Sequence, residues 1–212
     1  MNPARDGILT RIRQACPTTA ESAAASYVRI ERRYQQSSEQ SKEEILVLLT
    51  ERLIEYDAHV YRTSEAEISS LCVQILARRN AHRIVVPQDL SSAWQAGAEF
   101  FPDDNFDAHT LNSFDGVMTA ATLAIAETGT IVLQNARTQG RRAITLVPDY
   151  HLCIVREQDV VETVVEGMRL LESTRNLPTT LFSGPSATAD IEMTRIKGVH
   201  GPRFVDVVIL SA

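Results

Sequence analysis

Four short segments hold the residues best suited to chemistry. In AETGT, Glu127 stands at the turn between two apolar runs and is followed by Thr128, Gly129 and Thr130. An acid emerging at a strand end lies where α/β sheets open their ligand crevices, and partial burial raises its pKa toward use as base or nucleophile. The same residue also reads as a turn acid that caps local amides. The second segment is SGPS, residues 183–186, which leads from Leu181-Phe182 into TADIEMTRI. The polarity of TADIEMTRI predicts a helix, so Ser183, Gly184, Ser186 and Thr188 would gather hydroxyls and amides at a helix N-terminus, a natural anion site. Pro185 removes one of those amides. The competing reading is a helix cap, with Ser186 or Thr188 holding Asp190 and nearby amides. On such a helix Asp190 and Glu192 point about 200° apart, so they are not a paired acid and base, whereas Thr188, Glu192 and Arg195 share a face.

The third segment, GVHG, sets His200 between Gly198 and Gly201. Glycines that close let the backbone approach a ligand, and a histidine there can shuttle a proton near neutral pH; a structural loop histidine is the alternative. The fourth, Gln139-Gly140-Arg141-Arg142, is a basic turn in an acidic protein, able to meet an anion or only water. The remaining histidines (59, 82, 109, 151) stand singly, with no HxH or HxxxH pair, so no metal site is expected. Cys16, Cys72 and Cys153 are more than fifty residues apart, which predicts reduced thiols and no iron–sulfur cluster held by this chain. No Walker loop and no G-x-G-x-x-G occurs.

Elements must position these residues. Ser41 and Glu44 form an S-x-x-E capping box before an amphipathic helix over 42–57, and Ser64 with Glu67 repeat the pattern before a helix beginning at Ile68. HVYRT (59–63) and RIVVP (83–87) read as strands, and SSAWQAGAEFF as a further helix–strand pair. Strands separated by single helices imply right-handed crossovers and a parallel sheet with helices on both faces. In the second half, AIAETGTIVLQ reads as a hairpin, ITLVP with HLCIV as a second strand pair about Asp149-Tyr150, and 157–174 as a helix. FVDVVIL (204–210) reads as an interior strand. The fold class is therefore α/β, with a Rossmann-like mixed, mainly parallel sheet over 41–212, preceded by a polar helical arm over 1–40.

The chain has 212 residues, 44% hydrophobic and 23% charged, which is the balance of one globular domain plus an arm. A net charge of −6 repels phosphate backbones, so nucleic acid is not an expected partner. No apolar run reaches the ~18 residues a membrane span needs, and the first residues lack a signal-like apolar core, so a cytoplasmic location is expected.

Four ordered blocks, AIAETGTIVL, RRAITLVPDYH, SGPSATADIE and GVHGP, resemble the LUD domain of the lactate-utilization protein C family, over 116–210. That resemblance implies a fold of the ribose-phosphate isomerase, glucosamine-phosphate deaminase and CoA-transferase type in a bacterial or archaeal protein. It also implies a part in oxidising L-lactate to pyruvate, with the iron–sulfur clusters carried by partner subunits. It places Glu127, Thr128, Gly129, Thr130, Arg142, Pro148, His151, Ser183, Gly184, Pro185, Ser186, Thr188, Asp190, Glu192, Gly198, His200, Gly201 and Pro202 around one pocket. Glu127 would be the counterpart of the acyl-accepting glutamate of CoA-transferases, with His200 as a proton-transfer partner. The partners expected are the iron–sulfur subunits, a small organic acid or other anion, and a second copy in a homodimer. The alternative is a stand-alone transferase or isomerase acting on a CoA thioester or a phosphorylated small molecule.

Overall fold

The computed structural model describes residues 3–16, 20–189, 195–198 and 200–211. They divide into two units, Met1–Tyr34 and Gln35–Ala212. The first carries two helices, α1 (Pro3–Ala15) and α2 (Ala20–Val28), and α1 buries none of its residues. Within the second unit, residues 36–40 are tied to the segment 162–169. Ser38 N donates to Glu166 Oε1 (2.9 Å), Gln40 Nε2 to Glu162 Oε1 (3.1 Å), and Arg169 Nη1 to the Gln36 carbonyl (2.7 Å).

The second unit runs α3 (Lys42–Glu55), β1 (His59–Ser64), α4 (Ile68–Arg79), β2 (Arg83–Val86), β3 (Glu99–Pro102), α5 (Ala108–Leu111), β4 (Gly116–Ala120), β5 (Leu123–Ile125), β6 (Thr130–Leu133), α6 (Arg142–Leu146), β7 (Tyr150–Arg156), β8 (Val160–Val161), α7 (Val164–Leu171), β9 (Thr180–Phe182), β10 (Ala187–Ala189), β11 (Arg195–Lys197) and β12 (Phe204–Ser211). Six strands form a wholly parallel sheet in the order β1-β12-β7-β4-β2-β3. The antiparallel pairs expected in that sheet stand apart from it: β8-β5-β6-β9 make a second sheet, with β5-β6 as the foreseen hairpin, and β10-β11 pair by themselves.

Burial explains the layering. Ser41 Oγ accepts from Glu44 N while Glu44 Oε2 accepts from Ser41 N, so the predicted box starts α3. Its Ile45, Leu46, Leu49 and Leu53 pack with Cys153, Val205, Val207 and Ile209 of the large sheet and with Ile131 and Leu133 of the small one. On the opposite face α4 sets Ile68, Cys72, Ile75 and Leu76 against Ile84, Met118, Leu152 and Val208. Each such side chain contributes roughly 1.5–3 kcal/mol when fully buried. Helix α7 covers the outer face of the small sheet, where Leu171 meets Leu123, Ile125 and Val132. Strand β12 lies inside the large sheet and is buried from Val205 to Leu210, as its apolar run predicts.

Several expected elements differ. The second capping box does not form: Ser64 is the last residue of β1, and Glu67 precedes α4 without a side-chain cap bond. SSAW makes one 3₁₀ turn, Ser92–Trp94, instead of a helix. ITLVP is not a strand. Ile144 packs with Val85, Phe114 and Val117, and Arg142 Nη1 bonds the Thr145 carbonyl, which closes a short helix; β7 then runs parallel to β12 and β4. The 157–174 helix is confined to α7, because Val160-Val161 pair with β5 and Thr163 with Glu166 form a capping box at 163. TADIEMTRI is not one helix, since 187–189 and 195–197 are antiparallel strands; the intervening 190–194 lie outside the described residues.

Candidate functional site

Strand alternation aims His151 of β7 and its register partner Val205 of β12 to the same side of the large sheet, toward the small one. Between the sheets is a cavity of about 290 Å³. Leu133 of β6 and Phe182 of β9 line it from the small sheet, Arg142 and Thr145 from α6, and loop residues 183–186 and 200–202 form its rim.

Two groups define its electrostatics. His151 is 2% exposed, its Nε2 is 2.8 Å from Thr119 Oγ1, and its ring lies 5.6 Å from that of Phe182. Burial, aided by the nearby charge of Arg142, lowers its pKa to about 3, so the ring is neutral near pH 7. Arg142 is half-buried, and Nη1 donates to the Thr145 carbonyl (3.1 Å) and Oγ1 (3.0 Å). Desolvation pulls its pKa below the ordinary guanidinium value, and among the described residues no carboxylate pairs with it. The adjacent Arg141 is fully committed, to Asp103 at 2.6 and 2.8 Å and to the Phe106 carbonyl at 2.6 Å. The basic turn is thus not a solvated pair: one arginine is structural, and the other faces a cavity with no carboxylate partner among the described residues.

The 183–186 loop works differently from the helix N-terminus expected of it. With β10 following, there is no helix to aim amides at an anion, and several loop amides are already used. Ser186 N donates to the Pro202 carbonyl (2.8 Å), Gly198 N to the Ser186 carbonyl (2.9 Å), and His200 N to Ser186 Oγ (2.9 Å). Gly184 has φ +80°, and a Cβ there would stand 2.7 Å from Tyr56 Cβ and carbonyl, so this glycine lets the loop lie against the end of α3. Gly129, with φ +60°, makes the same kind of approach to Arg52.

Of the site residues read from the sequence, the cavity brings together Arg142, Ser183, Gly184, Ser186, His200 and Gly201. Glu127 is not among its lining: it is exposed, and Oε1 accepts from Val164 N (2.9 Å), capping α7. Thr128 and Thr130 do not line it either, but their hydroxyls (2.8 Å apart) connect to Ser183 Oγ, 3.0 Å from Thr130 Oγ1. Gly198 is exposed outside the lining, where a Cβ would strike the Arg203 side chain. Thr188 falls in β10, and Asp190 and Glu192 lie outside the described residues. Thr145 was not foreseen as a site residue, and His151 was marked by the family blocks alone. The signal for His151 was a histidine inside the apolar run YHLCIV, which a parallel strand buries on both sides.

Chemically, the lining can receive an anion: it offers a guanidinium with no carboxylate partner among the described residues, a neutral imidazole and the hydroxyls of Ser183 and Ser186, with apolar walls. Among the described residues, no group of three or more His, Cys, Asp or Glu could hold a metal ion.

Comparison with known proteins agrees with the architecture. Lactate utilization protein C of Deinococcus radiodurans is 39% identical over 175 residues, 81% of this chain and 82% of that protein. Lactate utilization protein C of Anoxybacillus flavithermus is 28% identical over 185 residues, with 81% and 82% covered. The crystal structure of a DUF162 family protein from D. radiodurans superposes with a TM-score of 0.69 at 32% identity, over 81% of this chain and 99% of that one. The LUD domain family matches residues 46–210. Because that span holds both the large and the small sheet and every residue lining the cavity, the chain belongs to the LUD domain family.

Proposed function

We propose that the chain serves lactate utilization as an accessory component, holding a small organic anion at Arg142 beside partner subunits whose iron–sulfur clusters carry electrons from L-lactate. The relatives named lactate utilization protein C support the pathway. The observation that carries the binding role is the half-buried Arg142 guanidinium, which faces a cavity with no carboxylate partner among the described residues. An arginine so placed is costly in isolation, and an organic carboxylate that accepts two of its N–H groups removes that cost.

The cysteines support a division of labour. Cys72 and Cys153 are buried in separate core clusters on opposite faces of the large sheet, and burial pushes their thiols up to about 11 and about 12. Buried in separate clusters, the two do not converge on one centre, which supports assigning electron transfer to partners. The transferase reading gains no support from Glu127, whose carboxylate is engaged at the start of α7 outside the cavity.

Thermal-shift titration of the full chain with L-lactate and pyruvate tests the binding role. A saturating anion at 100 times its dissociation constant adds about 2.7 kcal/mol of stability. Arg142→Gln is expected to abolish the shift while remaining folded by circular dichroism. An unchanged shift in Arg142→Gln refutes the assignment. Gentle native purification tests the partnership: recovery without iron–sulfur companions counts against it.

A further inference from the structure

The cavity is larger than lactate or pyruvate requires. Water takes about 30 Å³ per molecule in the liquid, so a 290 Å³ space accommodates roughly ten water-sized groups. A three-carbon acid fills only about half of that. The remaining wall is apolar: Leu133, Phe182, Pro185, Pro202 and Val205 line it, with Leu133 and Val205 almost wholly buried. Arg142, Thr145 and His151 lie together, close enough for the guanidinium to act on the imidazole, while Ser183, Ser186 and His200 add polar groups at the rim.

Charge narrows the class further. Arg142 is the one permanent cation among the described lining residues. A phosphate monoester carries −1.5 to −2 near neutral pH and needs several donors around its oxygens. The loop that would supply them has Pro185, which has no N–H, and spends the amides of Ser186, Gly198 and His200 on its own closure. A second negative charge would therefore enter a partly desolvated cavity without a counterpart among the described residues.

Resting on the reading of this cavity as an organic-acid site, we infer that it selects a singly charged carboxylate with an apolar body, longer than lactate or pyruvate, and discriminates against phosphate esters. The carboxylate sits on Arg142, whose Nη1 is braced by Thr145. The tail extends along Phe182 and Val205 toward the two rim prolines, displacing water from apolar surface.

Titration calorimetry at pH 7.5 on the full chain, with a graded series of probes, decides this. The probes are L-lactate, 2-hydroxybutanoate, 2-hydroxypentanoate and 2-hydroxyhexanoate, with 2-hydroxyhexanamide and pentyl phosphate as controls. The dissociation constant is expected to fall about fourfold per added methylene, the equivalent of ~0.8 kcal/mol for each CH₂ buried. The amide should bind at least about tenfold more weakly than its acid, consistent with loss of a charge-assisted pair, and pentyl phosphate more weakly than 2-hydroxypentanoate. In Arg142→Gln the acid should fall to the level of the amide. Equal affinity for lactate and 2-hydroxyhexanoate, or tighter binding of pentyl phosphate, overturns the inference. If lactate alone binds and needs Arg142, the organic-acid reading stands while the inference fails; if no acid binds at all, both fail.

Discussion

Asp206 offers a strong test of how the large sheet is held, because it is a carboxylate with 0% exposure in an apolar strand. Arg79, at the end of α4, donates from Nε to Oδ2 (3.0 Å) and from Nη2 to Oδ1 (2.5 Å), Tyr150 OH donates to Oδ2 (2.9 Å), and His59 Nδ1 lies 3.1 Å from Oδ1. Desolvation together with the Asp206 charge pushes the Tyr150 phenol far above its usual range, so it acts as a fixed donor. Asp206→Asn preserves the shape but removes the charge and turns an amide N–H₂ toward Arg79. Removing one partner of a buried pair costs about 3–5 kcal/mol, because the other charge is left uncompensated. For a unit of this size each kcal/mol moves Tm by about 2–4 °C, so differential scanning calorimetry should register a fall on the order of 10 °C. Replacing both partners, Asp206→Leu with Arg79→Leu, should cost less than Asp206→Asn alone. Asp206 faces the side of the sheet opposite Val205 and the cavity, so ligand affinity should not change. A Tm within about 2 °C of wild type for Asp206→Asn, or a double variant worse than the single, would refute the reasoning.

Two further outcomes follow from the geometry. Gly184→Ala forces a Cβ to 2.7 Å from Tyr56 at φ +80°, so the urea midpoint should drop by the equivalent of roughly 1–3 kcal/mol with an unchanged slope; an unshifted midpoint would show that the loop relaxes freely. His151 is held at about 3 when folded against an ordinary 6.5, so the unfolded chain takes up its proton first. This contribution to stability is intact above pH 6.5 and is lost as pH falls from 6.5 toward 3, by up to about 1.4 kcal/mol per pH unit. Urea midpoints from pH 7 to 4.5 should decline less steeply in His151→Gln than in wild type, and parallel curves would contradict the assignment.

What could be read from the sequence was local or continuous. The Ser41–Glu44 box, the β5-β6 hairpin about Thr128-Gly129 and the apolar run of β12 each announce themselves within a few residues. ITLVP misled because its residue types favour a strand, while its actual state is fixed from far away: Ile144 is drawn into the cluster of Val85, Phe114 and Val117. Glu127 illustrates the limit for site residues. A turn acid beside an apolar strand fits a nucleophile or a cap equally well, and only the approach of Val164, 37 positions later, distinguishes them. Arg141 and Arg142 are identical in type and adjacent, yet one meets Asp103 and the other a cavity, a difference that spacing does not encode.

The position of β12 has a consequence for how the protein is made. Strands β1 and β7 are joined only through residues 204–211, so His59 waits for a partner 147 residues downstream. During synthesis both strands emerge with an open flank, and the central layer cannot close until residues 204–211 have left the ribosome. Assembly of the sheet is therefore a long-range event, and until β12 is made the edges of β1 and β7 facing it are open to pairing with other strands.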